Sequence, residues 1–251
     1  MSERRRRCSP TDDRRRGAMG EGGPTGGPAT EGFDMARIVI IGGHGKVALH
    51  LERLLADAGD EVTAVIRNPD HADDVRAAGA TPVVADVEHL GVDDLVPLLE
   101  GHDAVVWSAG AGGGNPQRTY AVDRDAAIGS MTAAERAGVR RYVMVSYFGA
   151  GPDHGVPEDN GFYAYAEAKA AADAHLRGTD LDWTILGPSA LTLDPPTGRI
   201  ETGPDAGKGQ VSRADVAAVA AAVLHRPATV RRTIEFNNGD TPIGDVLDAL
   251  G

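Results

Sequence analysis

The stretch RIVIIGGHGKVALHLERLLADAGDEVTAVIR, residues 37–67, decides the fold. It opens with four consecutive apolar residues at positions 38–41, a pattern typical of a strand that is buried on both faces. Glycines then interrupt the chain at positions 42–45, and apolar residues at helical spacing follow as far as Gly59. Residues 61–67 form a second apolar run. The stretch therefore predicts a strand, a tight turn, a helix and a second strand.

The turn has the spacing Gly42-x-x-Gly45-x-x-Ala48. Glycine lets phosphate oxygens approach backbone N–H groups, and the N-terminus of the following helix favours negative charge. We therefore predict a dinucleotide site here, the alternative being a purely structural turn. A nucleoside-triphosphate loop is disfavoured, because Lys46 is followed by Val47, which has no hydroxyl to offer magnesium.

Arg67 and Asn68 end the second strand, about twenty residues beyond the glycines. An acidic residue at this place bonds the ribose 2′-hydroxyl of NAD, whereas an arginine pairs with the 2′-phosphate of NADP. We therefore expect NADP(H), with NAD(H) the less favoured cofactor. The alternative is that Arg67 is an ordinary solvated surface residue.

Composition narrows the class of protein. The chain has 251 residues, a formal net charge of −12, 33 glycines and only 4% aromatic residues, which suits one loop-rich α/β domain and disfavours nucleic-acid binding. The single cysteine, Cys8, excludes an internal disulfide framework, and no His/Asp/Glu spacing indicates a metal site. No apolar run approaches about 18 residues, so we expect no membrane span and a cytoplasmic location. The oligomeric state is left open.

Residues 1–34 differ from the rest, since they contain two arginine runs and a Gly/Pro/Thr-rich stretch with almost no aliphatic residues. Such a segment buries too little apolar surface to offset its ordering entropy, so we predict a disordered tail. Either the tail belongs to the protein, or translation begins at Met35. In the first case its arginines could contact nucleic acid or anionic lipid, a weaker hypothesis.

Strands and helices continue to alternate beyond Arg67, which predicts a doubly wound parallel sheet in one domain at residues 35–251. The predicted strands lie at 81–86, 103–108, 141–146, 181–186 and 232–237, and the predicted helices at 69–78, 92–99, 117–137, 162–177, 215–224 and 243–250. The pattern loosens at 191–207, which we expect to cross the active-site mouth. Residues from about 189 onward would contribute a small substrate cap.

Tyr165 and Lys169 lie four residues apart in the helix predicted at 162–177, and therefore on one helical face. An ammonium beside a phenol favours the phenolate and brings a pKa of about 10 nearer to neutrality. Such a tyrosine can exchange a proton with a substrate oxygen while a nicotinamide exchanges a hydride. This spacing also arises by chance, and Tyr163 is an alternative inward-facing residue.

Several motifs occur in the order found in the short-chain dehydrogenase/reductase superfamily: GGHGKVA at 42–48, SAG at 108–110, MVS at 144–146 and YAEAK at 165–169. Together with LDWTILGPSALT and VSRADVAAVAAAVL, they resemble its atypical branch of NAD(P)H-binding, NmrA-like or NAD-dependent epimerase/dehydratase-like proteins. The resemblance covers nearly all of residues 35–251. It implies a Rossmann fold that binds NADP(H) and acts on a small carbonyl or hydroxyl compound.

The resemblance also implies roles for individual residues. The pyrophosphate would be held by Gly42, Gly43, Gly45, Lys46 and Val47, and the 2′-phosphate by Arg67. Asp86 and Val87 would flank the adenine, and the middle of the cofactor would contact Ser108, Ala109 and Gly110. Pro188 would border the nicotinamide, and Lys169 would hold a ribose. Tyr165 would be the acid/base, supported by Lys169, Ser146 and Asp123. Helix capping and surface solvation are the alternatives for Asp86 and Asp123.

The chain departs from that pattern at two places. Relatives often carry a catalytic serine one or two residues beyond Ser146, where this chain has Tyr147 and Phe148, and Leu186 replaces the arginine of the usual RPG. The main hypothesis is an NADP(H)-dependent oxidoreductase or epimerase/dehydratase. The alternative is a non-catalytic NmrA-like NADP(H) sensor.

Overall fold

The computed structural model of the protein describes residues 35–203 and 206–250. The predicted tail at 1–34 lies outside these ranges. The strands are β1 (Arg37–Ile41), β2 (Glu61–Ile66), β3 (Thr81–Val84), β4 (Ala104–Trp107), β5 (Arg141–Val145), β6 (Asp182–Pro188), β7 (Ala190–Thr192), β8 (Arg199–Thr202), β9 (Gln210–Ser212), β10 (Arg232–Asn238) and β11 (Thr241–Pro242). Across the described residues, nine of them form one sheet in the order β11-β8-β10-β6-β5-β4-β1-β2-β3.

The sheet is parallel from β3 to β10, and the antiparallel strands β8 and β11 extend its far edge. The order β3-β2-β1-β4-β5-β6 reverses direction between β1 and β4, which is where open α/β sheets bind their ligands. A separate parallel pair joins β7 to β9. The doubly wound Rossmann fold expected from the alternation of strands and helices is confirmed.

Helices cover both faces of the sheet. They are α1 (Ala48–Ala58), α2 (Ala72–Ala77), α3 (Val92–Leu99), α4 (Pro116–Thr119), α5 (Ala127–Ala137), α6 (Tyr163–Arg177), α7 (Arg213–Leu224) and α8 (Ile243–Asp248), with short 3₁₀ turns at Pro69–His71 and Pro227–Thr229. Across the described residues, no helix is long and apolar enough to cross a membrane.

β1 shows why both faces are covered, since its side chains alternate between two apolar cores. Ile38 and Ile40 join the core beneath α1, α2, α7 and α8, whereas Val39 and Ile41 join the core beneath α3, α5 and α6. All four side chains are fully buried or nearly so. A continuous apolar run is therefore required, because neither face of the strand meets water.

The helix that packs against α1 comes from much later in the sequence. It packs against α7, and apolar residues of both helices share one core. Asp60, just after α1, also accepts a hydrogen bond of 3.0 Å from His225, 165 residues later. The C-terminal segment from 213 onward is thus mostly part of the sheet and of its helix layer.

The structure differs from the predicted elements at several places, among them the short strands β7 and β11, which were not predicted. The helix expected at 117–137 contains a π-helical segment, Tyr120–Ala126, between α4 and α5. The loop expected at 191–207 contains β8, which was missed because Ile200 is its only buried residue. β8 is preceded by a turn in which the backbone N–H groups of Thr197 and Gly198 donate to the Asp215 carboxylate.

Candidate active site

A cavity of about 390 Å³ opens at the carboxyl ends of β1, β2, β3 and β4, where the strand order reverses. Nine of the predicted cofactor residues line it: Gly42, Gly45, Arg67, Asn68, Asp86, Val87, Ser108, Ala109 and Gly110. They come from four separate turns, each of which follows a strand. The parallel sheet brings these turns together because all four strands end at the same edge.

The glycine loop of this cavity is shaped by close packing. Gly42 has a φ of +90°, and a Cβ there would stand 2.5 Å from the backbone of Ala109. A Cβ on Gly43 would stand 2.6 Å from the Cβ of Ala64. The N–H groups of Gly42 and Gly43 both donate to the Val65 carbonyl, and that of Gly45 donates to Gly42. The glycines therefore allow the tight course of this loop, while their N–H groups donate hydrogen bonds to backbone carbonyl groups of the protein itself.

Some predicted cofactor residues lie away from the cavity lining. Gly43 and Val47 are buried, and Val47 directly precedes α1. Lys46 is exposed beside the cavity lining without being part of it. Pro188 is buried inside β6, where its carbonyl accepts a hydrogen bond of 2.9 Å from Phe148.

Charged and aromatic groups that the sequence did not single out complete the lining. The Arg118 Nε lies 2.7 Å from the Glu88 Oε2, and the Arg67 Nη1 lies 3.9 Å from that same oxygen. The His44 ring stacks on His71, with 3.6 Å between the ring centroids. His44 follows β1 and His71 follows β2. Their positions after the two strands of the predicted dinucleotide unit could have identified both histidines as cavity-lining residues.

The His44 side chain is only 30% exposed, and its Nε2 lies 2.8 Å from the Asp74 Oδ2. The stacked pair therefore has a fixed orientation beside Arg67.

Asp86, Glu88 and His89 bring one potential ligand atom each within 4.8 Å of one another, a cluster that the sequence analysis did not indicate. Glu88 already pairs with Arg118. A cation at this place would have to compete with the guanidinium for the same carboxylate.

The predicted catalytic residues Lys169, Asp123 and Ser146 lie in a buried cluster with Asp173. Lys169 is 1% exposed, and its Nζ donates to the Val145 carbonyl at 2.9 Å. The Ser146 hydroxyl donates to the Asp173 Oδ2 at 2.6 Å. Burial lowers the pKa of Lys169 and raises the pKa of Asp123 and of Asp173, while their opposite charges partly offset these shifts.

Asp123 lies in the π-helical segment and accepts a hydrogen bond of 3.0 Å from the backbone N–H of Ala111. A π-helical turn re-aims a side chain relative to an α-helix and often marks a functional site. The contact ties the helix to the loop that borders the first cavity.

Tyr165 lines a second cavity of about 420 Å³, which adjoins the first at Gly112. Burial raises the pKa of Tyr165 above its ordinary value, and the charges of Asp123 and Asp173 add to that rise. The lowered pKa expected from Lys169 is therefore wrong. The reason is that the ammonium is buried among two carboxylates and bonds to the Val145 carbonyl, with no hydrogen bond to Tyr165 among the described residues.

Tyr147 stands where relatives of the predicted family carry a serine. Its ring centroid lies 5.7 Å from that of Tyr165. Its buried hydroxyl has no hydrogen-bond partner among the residues that the structure describes. Tyr163, the alternative to Tyr165, instead packs edge-on against His154 at 5.8 Å and lines neither cavity.

Comparison with known proteins agrees with this geometry. A family model described as NAD(P)H-binding matches residues 42–227. The uncharacterized sugar epimerase YhfK of Bacillus subtilis is 32% identical over 216 residues, which is 85% of this chain and 100% of that protein.

Solved structures show the same architecture. A protein of Bacillus halodurans, provisionally named an NAD-dependent epimerase/dehydratase, matches with a TM-score of 0.79 at 33% identity, over 85% of this chain and 99% of its own. The oxidoreductase ylbE of Lactococcus lactis matches with a TM-score of 0.76 at 28% identity, over 85% and 96% of the two chains. The chain therefore belongs to the NAD(P)H-binding family, within the atypical, NmrA-like branch of the short-chain dehydrogenases/reductases.

Proposed function

We propose that the protein is an NADPH-dependent oxidoreductase that reduces a small carbonyl compound, with Tyr165 as the proton donor. The observation that carries this proposal is the position of Tyr165, in the lining of a cavity that shares Gly112 with the cofactor cavity. A substrate in the second cavity would therefore contact both the tyrosine hydroxyl and the cofactor side.

The residues present fit a nicotinamide dinucleotide. Gly42 and Gly45 place backbone without side chains in the cavity lining, and Arg67 offers a cation directly after β2. When bound, the cofactor supplies a hydride to the carbonyl carbon. Tyr165 donates a proton to the carbonyl oxygen. Its hydroxyl is protonated at neutral pH, and the raised pKa makes that proton harder to release than from an ordinary tyrosine.

The test compares Tyr165→Phe with the wild type for NADPH oxidation by a panel of small aldehydes and ketones. We expect turnover to fall by at least about 100-fold while the NADPH dissociation constant stays within about twofold, because a general acid acts only in the chemical step. Tyr163→Phe is the matched control and should keep its activity. A Tyr165→Phe enzyme with the wild-type rate would exclude this mechanism.

We further propose that NADPH is preferred to NADH. Arg67, Asn68, His44 and His71 line the part of the cavity that follows β1 and β2, where a 2′-phosphate would lie. Arg67→Ala should lower the ratio of NADPH to NADH affinity by about tenfold, which is the loss of one charge-assisted contact. Arg76→Ala, which removes an arginine of α2 outside the cavity lining, should leave the ratio unchanged. An unchanged ratio in Arg67→Ala would contradict the preference.

The segment proposed as the substrate cap is narrower than residues 189–251. Because β10 and α7 belong to the sheet and its helix layer, only the part around β7 and β9 would form the cap. Lys208 of this part comes within 3.3 Å of where a Cβ of Gly149 would stand, and no described residue beyond 188 lines either cavity.

A non-catalytic NADP(H) sensor is the second candidate. It is favoured by the Ser146 hydroxyl, which is committed to Asp173, and by Lys169, which bonds to Val145 rather than to Tyr165. A sensor should bind NADPH and NADP⁺ with different affinities and reduce no member of the carbonyl panel. Reduction that depends on Tyr165 would exclude the sensor.

A further inference from the structure

The second cavity differs chemically from the cofactor cavity. It is lined by Gly112–Gly114, Asn115, Pro116, Thr119, Gly161, Phe162, Ala164 and Tyr165. Within the described part of the chain, Tyr165 is the only ionisable side chain in this lining. The cofactor cavity, by contrast, holds two arginines, two histidines and two carboxylates.

The polar side chains of this lining are already largely engaged. The Asn115 Oδ1 accepts a hydrogen bond of 3.2 Å from the backbone N–H of Arg118. The Thr119 hydroxyl donates to the Asn115 carbonyl at 3.1 Å. Among these side chains, the Tyr165 hydroxyl and the Asn115 amide nitrogen remain to meet a ligand. A compound with many hydroxyl groups would find side-chain partners for few of them.

The remaining wall is apolar and partly aromatic. Phe162 is 43% exposed, and its ring centroid lies 5.1 Å from that of Tyr165 and 5.2 Å from that of Tyr147. Pro116 and Ala164 add further apolar surface. A flat apolar group that covers Phe162 would remove this surface from water, which is favourable.

We propose that the second cavity binds an uncharged, largely apolar carbonyl compound and rejects carboxylated or phosphorylated ones. An anion there would lose its hydration without gaining a cationic partner from the lining. This inference rests on the proposed reductase function, since it names the substrate class for the same site.

Two probes of similar size test the charge preference: 4-methylbenzaldehyde, which is neutral, and 4-formylbenzoate, which is anionic. Binding of each to the full-length protein with NADP⁺ is measured by saturation-transfer NMR, and reduction is followed with NADPH. We expect the neutral probe to bind at least about tenfold more tightly. Equal or tighter binding of 4-formylbenzoate, or no binding of the neutral probe, overturns the proposal.

Two substitutions of Ala164, in the first turn of α6, distinguish the effect of a positive charge in the lining from the effect of a larger side chain. Ala164→Arg should shift the preference towards 4-formylbenzoate by at least about tenfold, because the guanidinium supplies the missing partner. Ala164→Met fills similar space without charge and should leave the neutral probe preferred. If both variants change the ratio equally, charge does not determine selection and the proposal fails.

The two readouts distinguish this proposal from the proposed function. Binding of the neutral probe without its reduction contradicts the reductase and leaves the substrate-class inference standing. Preferred reduction of the anionic probe contradicts the inference and leaves the reductase standing.

Discussion

The glycine loop at residues 42–45 borders the first cavity, whereas the glycine loop at residues 112–114 borders the second cavity and meets the first at Gly112. The two loops need glycine for different reasons. In the first loop, a Cβ on Gly42 or Gly43 would collide with neighbouring atoms at 2.5–2.6 Å. In the second, Gly112, Gly113 and Gly114 have φ values of +80°, +79° and +81°, yet a Cβ on any of them would meet nothing within 4 Å. Close packing therefore requires glycine in the loop at residues 42–45, whereas backbone conformation alone requires glycine in the loop at residues 112–114, beside the second cavity.

Among the loop glycines, the largest expected effect is that of Gly42→Ala, because this position combines a positive φ with a collision against Ala109. The left-handed conformation costs about 1–2 kcal/mol and overpacking about 1–3 kcal/mol, so we expect a loss of roughly 3 kcal/mol in the free energy of unfolding. NADPH binding should be lost with it. Urea unfolding and NADPH titration check both, and a loss below about 1 kcal/mol would show that the loop is less tightly packed.

Gly43→Ala isolates packing from conformation, since Gly43 does not have a positive φ. The new Cβ would stand 2.6 Å from that of Ala64, and we expect a loss of about 2 kcal/mol in the free energy of unfolding. Removing the opposing methyl group with Ala64→Gly should recover part of this loss in the double variant. Strictly additive losses in a double-mutant cycle would show that the two side chains do not compete for the same space.

Glu52 lies behind the cofactor loop, with its Oε1 3.2 Å from the position of a Gly43 Cβ. It is fully buried, and its carboxyl oxygens have no hydrogen-bond partner among the described residues. Burial raises the pKa of Glu52 from 4.5 to about 8, against a smaller lowering by Arg53. The folded protein thus holds this proton more tightly than the unfolded chain does.

The stability that depends on this proton is fully present below pH 4.5 and is lost as the pH rises to about 8. Glu52→Gln cannot ionise, so its stability relative to the wild type should rise by roughly 4 kcal/mol between pH 5 and pH 9, the equivalent of the shift in the pKa of Glu52. Thermal unfolding at pH 5, 7 and 9 measures this. Parallel pH profiles for the two proteins would mean that the carboxyl group is not held neutral by the fold.

Gly113→Ala should have the smallest effect, since only the positive φ opposes the substitution. We expect a loss of about 1 kcal/mol or less in stability, and NADPH affinity within about twofold of the wild type. The same urea and NADPH measurements as for Gly42→Ala apply. A loss of stability as large as that of Gly42→Ala would show that the two loops do not differ in why they need glycine.

Local patterns in the sequence predict which turns come together around the first cavity. The run at 38–41 and the turn at Gly42 lie next to each other in the chain, and Arg67 follows directly from the second strand. The environment of Tyr165 could not be predicted in this way. Asp173 lies two turns further along the same helix, whereas Tyr147 and Asp123 reach Tyr165 from two other parts of the fold, and the resulting pKa depends on burial that no spacing reveals. β8 was missed for a related reason, since one buried residue leaves no alternation to detect.

The packing of α1 against α7 has a consequence for how the chain is made. The helix that covers the apolar side of α1 emerges from the ribosome more than 150 residues after α1 itself, as the 165-residue separation of Asp60 and His225 shows. Contacts so distant in sequence form slowly, and partly built α/β sheets expose apolar surface until they form. The turn at Gly42 therefore acquires its final support only after α7 has been synthesised.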